Sequence, residues 1–431
     1  MSSLTPSEAS PDGDGEEMLP DREATLEEME SPPTLEFQLR GIDNLERALP
    51  IRQSDLTRLL LAEPDLSAED RGLLSRFGRT LGAVFHSEYY AKLRELKELY
   101  APLDPDADYI TVANQTRSRS ENSDEEFLVP FESALEHANY RALDLDIIKE
   151  AIAAPNEMGL TYAPNFHLFE HLKIYVRGYT RIIREVRTVR TKFRKRTVMI
   201  DAYQRMVIAL KFKDGEDIGP FVRSDCLYLR MFKDVPHVDM EMHLPEQGAK
   251  VRMRWIDKAQ IASPLAIGIP TLAIKILLGL TTPFALGALM VPITAGVNSF
   301  FGFQRAKNRH LSAMIQKLYY MTLANNASML TRLIDSAEDE DYKEAVLTYY
   351  FLWRGSGDGA PWTVHALDAR IEGYLKEKTG IEINFEVADG LGKLFRLGLA
   401  KRDHRGRLHA SPIAEALGTL DRHWVEILST S

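Results

Sequence analysis

The apolar positions of the chain change their period along its length. From about Leu35 to Ala154 they recur every three or four residues. In SAEDRGLLSRFGRTLGAVFHSEYYAKLRELKELY, Leu73, Leu74, Phe77, Leu81 and Val84 mark one face of a helix. Ser67, three residues before Asp70, predicts that helix's N-cap, and LTRLLLAEPDL predicts a shorter helix ahead of it. The polar stretch from Asp104 to Glu126 reads as a loop, and a further helix is predicted from about Phe131 to Ala153.

From Tyr162 the texture turns to Val, Ile, Tyr, Phe and Arg. KIYVRGYTRIIREVRTVRTKF, KRTVMIDAYQRMVIALKFKD and SDCLYLRMFKDVP read as strands of an antiparallel sheet, with Asp214-Gly215 as a turn signal. The first could instead be helical, because Arg181, Arg184, Arg187 and Arg190 fall three apart. Either way, residues 173–196 hold ten Lys or Arg against one Glu.

Residues 261–303 then run for 43 positions with one charge, Lys275. As a single helix they would be roughly 65 Å long, about twice a hydrocarbon core. Two helices folded back at Gly279–Pro283 fit that thickness and predict a membrane hairpin. The alternative is a buried hairpin in a soluble protein, which needs apolar partners on nearly every face. Lys250, Arg252, Arg254 and Lys258 precede the run, and Arg305, Lys307 and Arg309 follow it. Both flanks are basic, so both termini are expected on the cytoplasmic side.

Beyond the hairpin, two helices are predicted with a break at the acidic Glu338 to Asp341. Next comes a helix capped by Thr363 and stopped by Gly380, a short strand IEINF, a second helix ending near Gly398, and a charged hairpin around Gly406. This order resembles a winged-helix module. Residues 363–411 carry nine Lys or Arg against seven Asp or Glu, and the would-be reading helix opens with Glu386 and Asp389. That favours a protein partner over nucleic acid, with Arg402, Arg405 and Arg407 as the best contacts if DNA is bound.

Together these elements predict a mostly helical α+β fold in six parts. They are a disordered acidic tail (1–34), a helical region (35–155), a basic antiparallel α+β domain (160–258), a transmembrane helical hairpin (259–304), a helical linker (305–360) and a winged-helix-like module (361–428).

Charge refines this picture. Of 431 residues, 53 are Lys or Arg and 63 are Asp or Glu, a net −10. Residues 1–33 alone hold ten acids and one Arg, so the remainder is close to neutral. This start has neither the basic and apolar regions of a secretion signal nor the Arg-rich character of an organelle presequence. One cysteine, Cys226, excludes an internal disulfide framework and reads as packed rather than reactive.

The segment FKDVPHVDMEMHLP, with Phe232, Lys233, Asp234, Pro236, Asp239, Glu241, Leu244 and Pro245, resembles the signature of the transmembrane-protein-143-like family, defined by domain of unknown function 3754. NFHLFEHLKIYVRGYT upstream, with Tyr175, Arg177 and Gly178, is similar too, and the likeness covers about residues 140–355. The resemblance implies a membrane protein with two spanning segments and no established activity. His243 stands where an apolar residue is expected.

Two constellations could carry chemistry. HLFEH, with His167, Glu170 and His171, has the His-x-x-Glu-His zinc-protease spacing, which needs a helix to put both imidazoles on one face. His237, Asp239, Glu241 and His243 alternate, so an extended strand would present all four together as metal ligands. Pairing of the carboxylates with nearby Arg or Lys is the plainer reading. No phosphate-binding loop or dinucleotide fingerprint occurs, and no cofactor is predicted.

The expected function is a non-enzymatic, membrane-anchored scaffold or regulator at the cytoplasmic face. It would meet anionic lipid through its basic residues and a protein partner through the C-terminal module. The alternatives are a metal-dependent hydrolase built on His167, Glu170 and His171, and a nucleic-acid-binding regulator acting through the winged helix.

Overall fold

Two long helices carry most of the apolar periodicity, and the sheet lies against them. The structure, a computed structural model, describes residues 48–108, 122–144, 160–163, 165–186, 196–216, 218, 220, 222–237, 240, 243–244, 250–253, 301, 312, 315–316, 318–355 and 362–430. The helical elements are α1 (Gln53–Leu61), α2 (Ala68–Tyr100), α3 (Ser123–His137), α4 (Asn326–Gly355), α5 (Val364–Thr379), α6 (Val387–Arg396) and α7 (Ile413–Thr430). The strands are β1 (Arg141–Ala142), β2 (Leu160–Ala163), β3 (Phe169–Val186), β4 (Arg196–Phe212), β5 (Leu227–Pro236), β6 (Lys250–Met253), β7 (Thr322–Asn325), β8 (Ala400–Arg402) and β9 (Leu408–Ala410).

Local chemistry sets the ends of these helices. The Ser67 hydroxyl accepts the Asp70 N–H at 3.0 Å to start α2, a cap worth about 1 kcal/mol. Thr363 does the same for α5 through Ala366 N–H, and Gly380, at φ +71°, closes that helix in the left-handed conformation. The helix expected at 131–153 instead spans 123–137. Three acids in its first turn suit the positive end of the helix dipole. Asn139, at φ +61°, ends it, with the Tyr140 N–H returning to the Leu135 carbonyl at 2.9 Å.

The main sheet has the order β1-β3-β4-β5-β7, and every pairing is antiparallel. The Arg-rich segment is therefore strand, not helix, over its described residues up to Val186. Its period of two sends side chains to opposite faces. Tyr175, Val207, Ala209, Leu229 and Met231 join the helical core with Phe77, Leu81, Phe85 and Leu333. Ile174, Val176, Met206, Ile208 and Leu210 face the other way, packing with Phe212, Phe232, Val235 and Leu244. The middle of the sheet is thus covered on both faces, whereas Ile183 and Met199 at the outer end of the β3–β4 pair are exposed, and β2 and β6 form a separate two-stranded ladder.

Gly178 in β3 lies at φ +69° and Asp234 in β5 at φ +51°. Both flank Gln204 of β4, because β3 pairs Arg177 with Arg205 and Tyr179 with Tyr203, while β5 pairs Lys233 with Arg205 and Val235 with Tyr203. The ladder is interrupted on both sides at one level. The Gln204 side-chain amide fills the gap by donating to the Tyr179 carbonyl at 3.2 Å.

The predicted transmembrane hairpin is corrected, and with it the fold class and the two-pass membrane placement with both termini cytoplasmic. Among the described residues no helix is long and apolar enough to cross a membrane. The two longest helices, α2 at 33 residues and α4 at 30, carry Glu, Asp, Lys or Arg along their course, and a hydrocarbon core would strip those groups of water. The architecture is a mixed α/β one with an antiparallel sheet. Residues 259–304, apart from Phe301, lie outside the described residues, as does the tail 1–34. The break expected at Glu338–Asp341 is absent, and α4 runs unbroken through it.

Candidate functional site

The middle of α4 reads Glu338-Asp339-Glu340-Asp341-Tyr342-Lys343-Glu344, a run that composition assigns to solvent. The fold buries it: Glu340, Asp341, Lys343 and Glu344 are each no more than 5% exposed. Buried charges persist only when paired and hydrogen-bonded, and the run divides between two such networks.

The first is closed. The Lys343 ammonium reaches Glu340 at 2.8 Å, Asp339 at 2.9 Å and the Leu49 carbonyl at 2.7 Å, while the Leu49 N–H donates to Glu340 at 3.0 Å. The segment before α1 is thereby fastened to α4.

The second network lies in a solvent-open cleft of about 420 Å³ between the end of α3, α4 and α6, lined by Glu136, His137, Asn139, Asp341, Glu344, Asp389, Gly392, Lys393 and Arg396. Lys393 bridges Glu344 and Asp341, the latter at 2.9 Å. The other contacts of Asp341 are His137 Nδ1 at 3.3 Å and the Tyr89 hydroxyl. Asn139 Nδ2 approaches Glu344 at 3.4 Å, and Arg396 makes a two-pronged pair with Glu88 of α2 at 2.7 and 2.9 Å.

One ammonium therefore serves two carboxylates. Burial pushes Glu344 up to about 7, and Lys393 only partly opposes the rise, to which Asp341 and Glu340 add. Burial would also raise Asp341, but His137, Lys393 and Tyr89 hold it below the usual carboxylate range. The Lys393 ammonium stays charged, because Glu344 and Asp341 outweigh its desolvation. Burial thus brings the Glu344 carboxyl close to neutrality, and a carboxyl shifted in this way within a cleft is a general mark of a functional site.

This cleft is marked by no motif in the sequence. A usable signal is the helical period itself. Leu330, Ile334, Ala337, Asp341, Glu344, Thr348 and Leu352 follow the three-four spacing of one face, so the period places two acids in the core.

The HLFEH residues do not assemble as the zinc spacing requires. His167 lies in a single 3₁₀ turn, Phe166–Leu168, while Glu170 and His171 open β3. Glu170 and His171 instead approach Asp124 of α3, with one ligand atom from each within 4.8 Å of the others. The position a cation would take is served by the Lys211 ammonium, which pairs with Asp124 and, at 3.0 Å, with Glu170. Desolvation works against that charge, yet the two carboxylates raise its pKa.

Of the His237–His243 segment the structure describes His237, Met240 and His243, and none of the three lies in a strand. His237 lies tilted against Tyr203, with ring centroids 4.1 Å apart, and sits edge-on to Tyr179. Burial lowers its pKa. His243, 2% exposed, is edge-on to Phe232, so the residue expected to be apolar is buried despite its polarity. Asp239, Glu241 and Pro245 lie outside the described residues.

The other motif residues build the sheet. Phe232 and Leu244 are buried in its far core, Lys233 lies on β5, Asp234 makes the interruption opposite Gln204, and Pro236 ends β5. Tyr175 and Arg177 tie β3 to α3, donating to Glu132 at 2.7 Å and to the Ala138 carbonyl at 3.1 Å.

Among the basic residues, Arg181 is exposed and pairs with Asp201 at 3.1 Å. Arg184 lies on β3 and Arg252 on β6. Arg187, Arg190, Arg254, Lys258, Arg305, Lys307 and Arg309 lie outside the described residues. Cys226 is buried.

The fold and cleft thus define an antiparallel sheet joined to a helical layer that holds a titratable, solvent-open charge network. Residues 169–328 match the family described as a protein of unknown function, DUF3754, which supports the presence of that domain. The match covers β3 to the first residues of α4, so Asp341, Glu344 and Lys393 fall beyond it. No solved structure matches the chain.

Proposed function

We propose that the protein is a non-enzymatic scaffold or regulator whose C-terminal module contacts protein rather than nucleic acid. The observation that carries this reading is the placement of α6, which follows α5 and precedes the β8–β9 wing, where a winged helix keeps its reading helix. Its cations are already engaged, Lys393 with Asp341 and Glu344, and Arg396 with Glu88. Its exposed residues Asp389, Gly392 and Arg396 form a wall of the cleft facing α3. Entry into a major groove would require breaking these pairs and bringing Asp389 against phosphates. On the wing, Arg407 pairs with Asp403, whereas Arg402 and Arg405 are exposed.

The finer likeness to the transmembrane-protein-143-like family rests on the FKDVPHVDMEMHLP segment and supplies no activity. A lipid role for the basic stretch draws no support from Arg181, whose guanidinium is engaged with Asp201.

The test is titration of the full chain with fluorescent duplex DNA at low salt, alongside cross-linking mass spectrometry on the affinity-purified complex. The expected result is no saturable DNA binding and cross-links from a stoichiometric protein partner to α5 or the wing, lost in R402A/R405A. Salt-sensitive DNA binding that the same double substitution abolishes would overturn the reading.

A further inference from the structure

The cleft sets two buried carboxylates against one buried ammonium. Asp341 and Glu344 are 4% and 5% exposed and share the single ammonium of Lys393, itself 9% exposed. With both acids ionised, these three side chains carry a net −1 away from bulk water. With Glu344 protonated they are neutral. The arrangement spans three elements far apart in sequence, since Lys393 comes from α6, the acids from α4, and Asn139 approaches Glu344 from the end of α3. Contact between the helices is also close at this point. A Cβ on Gly390 of α6 would lie 2.2 Å from Thr348 Oγ1 and 2.9 Å from the Glu344 carbonyl oxygen.

We propose that the Asp341–Lys393–Glu344 cluster is a proton-sensitive latch that fastens α6, and with it the helix-and-wing module, to α4 and α3, and that it loosens as pH rises through neutrality. This goes beyond the scaffold reading and does not depend on which partner the module takes.

The polar and titratable groups around Glu344 are Tyr89 of α2, Glu136, His137 and Asn139 at the end of α3, Glu340 and Asp341 of α4, and Asp389, Lys393 and Arg396 of α6, the last held by Glu88 of α2. The sign follows from linkage. Burial holds Glu344 at about 7 against an ordinary value of 4.5, so the latched form keeps a proton that a hydrated Glu344 would release. That stabilisation is complete below the ordinary value and is lost as pH rises through about 7. Lys393, shifted up, stays charged throughout this window, and Asp341, shifted down, stays ionised. His137 faces Asp341 rather than Lys393 and is the residue whose contribution must be separated.

The test is hydrogen exchange of the full chain, read by mass spectrometry at α6 amides and corrected for intrinsic rates, with α2 amides as reference. Between pH 6 and pH 8 the α6 opening constant is expected to rise about tenfold, the factor that a shift from 4.5 to about 7 produces. E344Q is expected to flatten this dependence, and H137Q to keep it. A flat wild-type profile overturns the proposal whether or not E344Q folds. So does a pH dependence that survives E344Q, or one that disappears in H137Q alone.

Discussion

At Gly178 the backbone is left-handed, and an added Cβ would meet the Gln204 side chain at 2.7 Å. Gly178→Ala is therefore expected to destabilise the protein by about 1–3 kcal/mol, read as a lower urea midpoint at unchanged slope. Lys343 makes the opposite case, a buried charge with full pairing. Replacing it with Met leaves Glu340, 2% exposed, without its main counter-charge, and is expected to cost about 3–5 kcal/mol. K343M/E340L should recover much of that loss in the same unfolding assay, because the uncompensated charge is gone. Neither residue's role was legible in the sequence. Gly178 stands out in the sequence only as part of the family-like NFHLFEHLKIYVRGYT segment, and the conformation it must adopt depends on a partner strand 26 positions away. Lys343 sat in a charged run whose destination depends on α1 and α2.

At the scale of elements, the strands and most helix ends were readable because their causes are local. Ser67, Thr363 and Gly380 act on residues three or four positions away, and the alternation in β4 shows in the letters themselves. The sequence predicts two helices where α4 is one, because an acidic run resembles a solvated break until the helices that bury it are present. The same long-range dependence kept the cleft hidden, since its residues lie on α3, α4 and α6. Two substitutions test these contacts. Gly390→Ala should force α6 away from Thr348 and is expected to lower stability by about 1–3 kcal/mol, with faster exchange at α6 amides than at α2. Phe77→Ala removes a ring stacked 4.1 Å from Tyr349, between α2 and α4, and is expected to cost about 3–5 kcal/mol in thermal or urea unfolding.

For the whole molecule, the sheet matched by the family and the charged cleft beyond that match are joined through α3 and α4. Tyr175 and Arg177 grip α3 from the sheet, while His137 and Asn139 at the same helix's end enter the cleft. Changes in the cleft therefore act on the helix that the sheet holds. If α6 loosens with rising pH, exchange in β3 near Tyr175 should increase less than exchange at α6, because the strand is anchored by β4 as well. Equal increases at both sites would show that the molecule opens as one body.

The clasp at Leu49 bears on how the chain is made. Leu49 finds its partner Glu340 291 positions later. At 5–20 residues per second, a ribosome needs about 15–60 s to deliver that partner. Over that interval α1 and α2 exist without α4, and the Phe77 ring lacks the Tyr349 ring that stacks on it. The newborn chain thus presents a greasy helical pair that a holding chaperone can shield, and a premature stop ahead of residue 340 leaves a fragment that cannot fasten its own beginning.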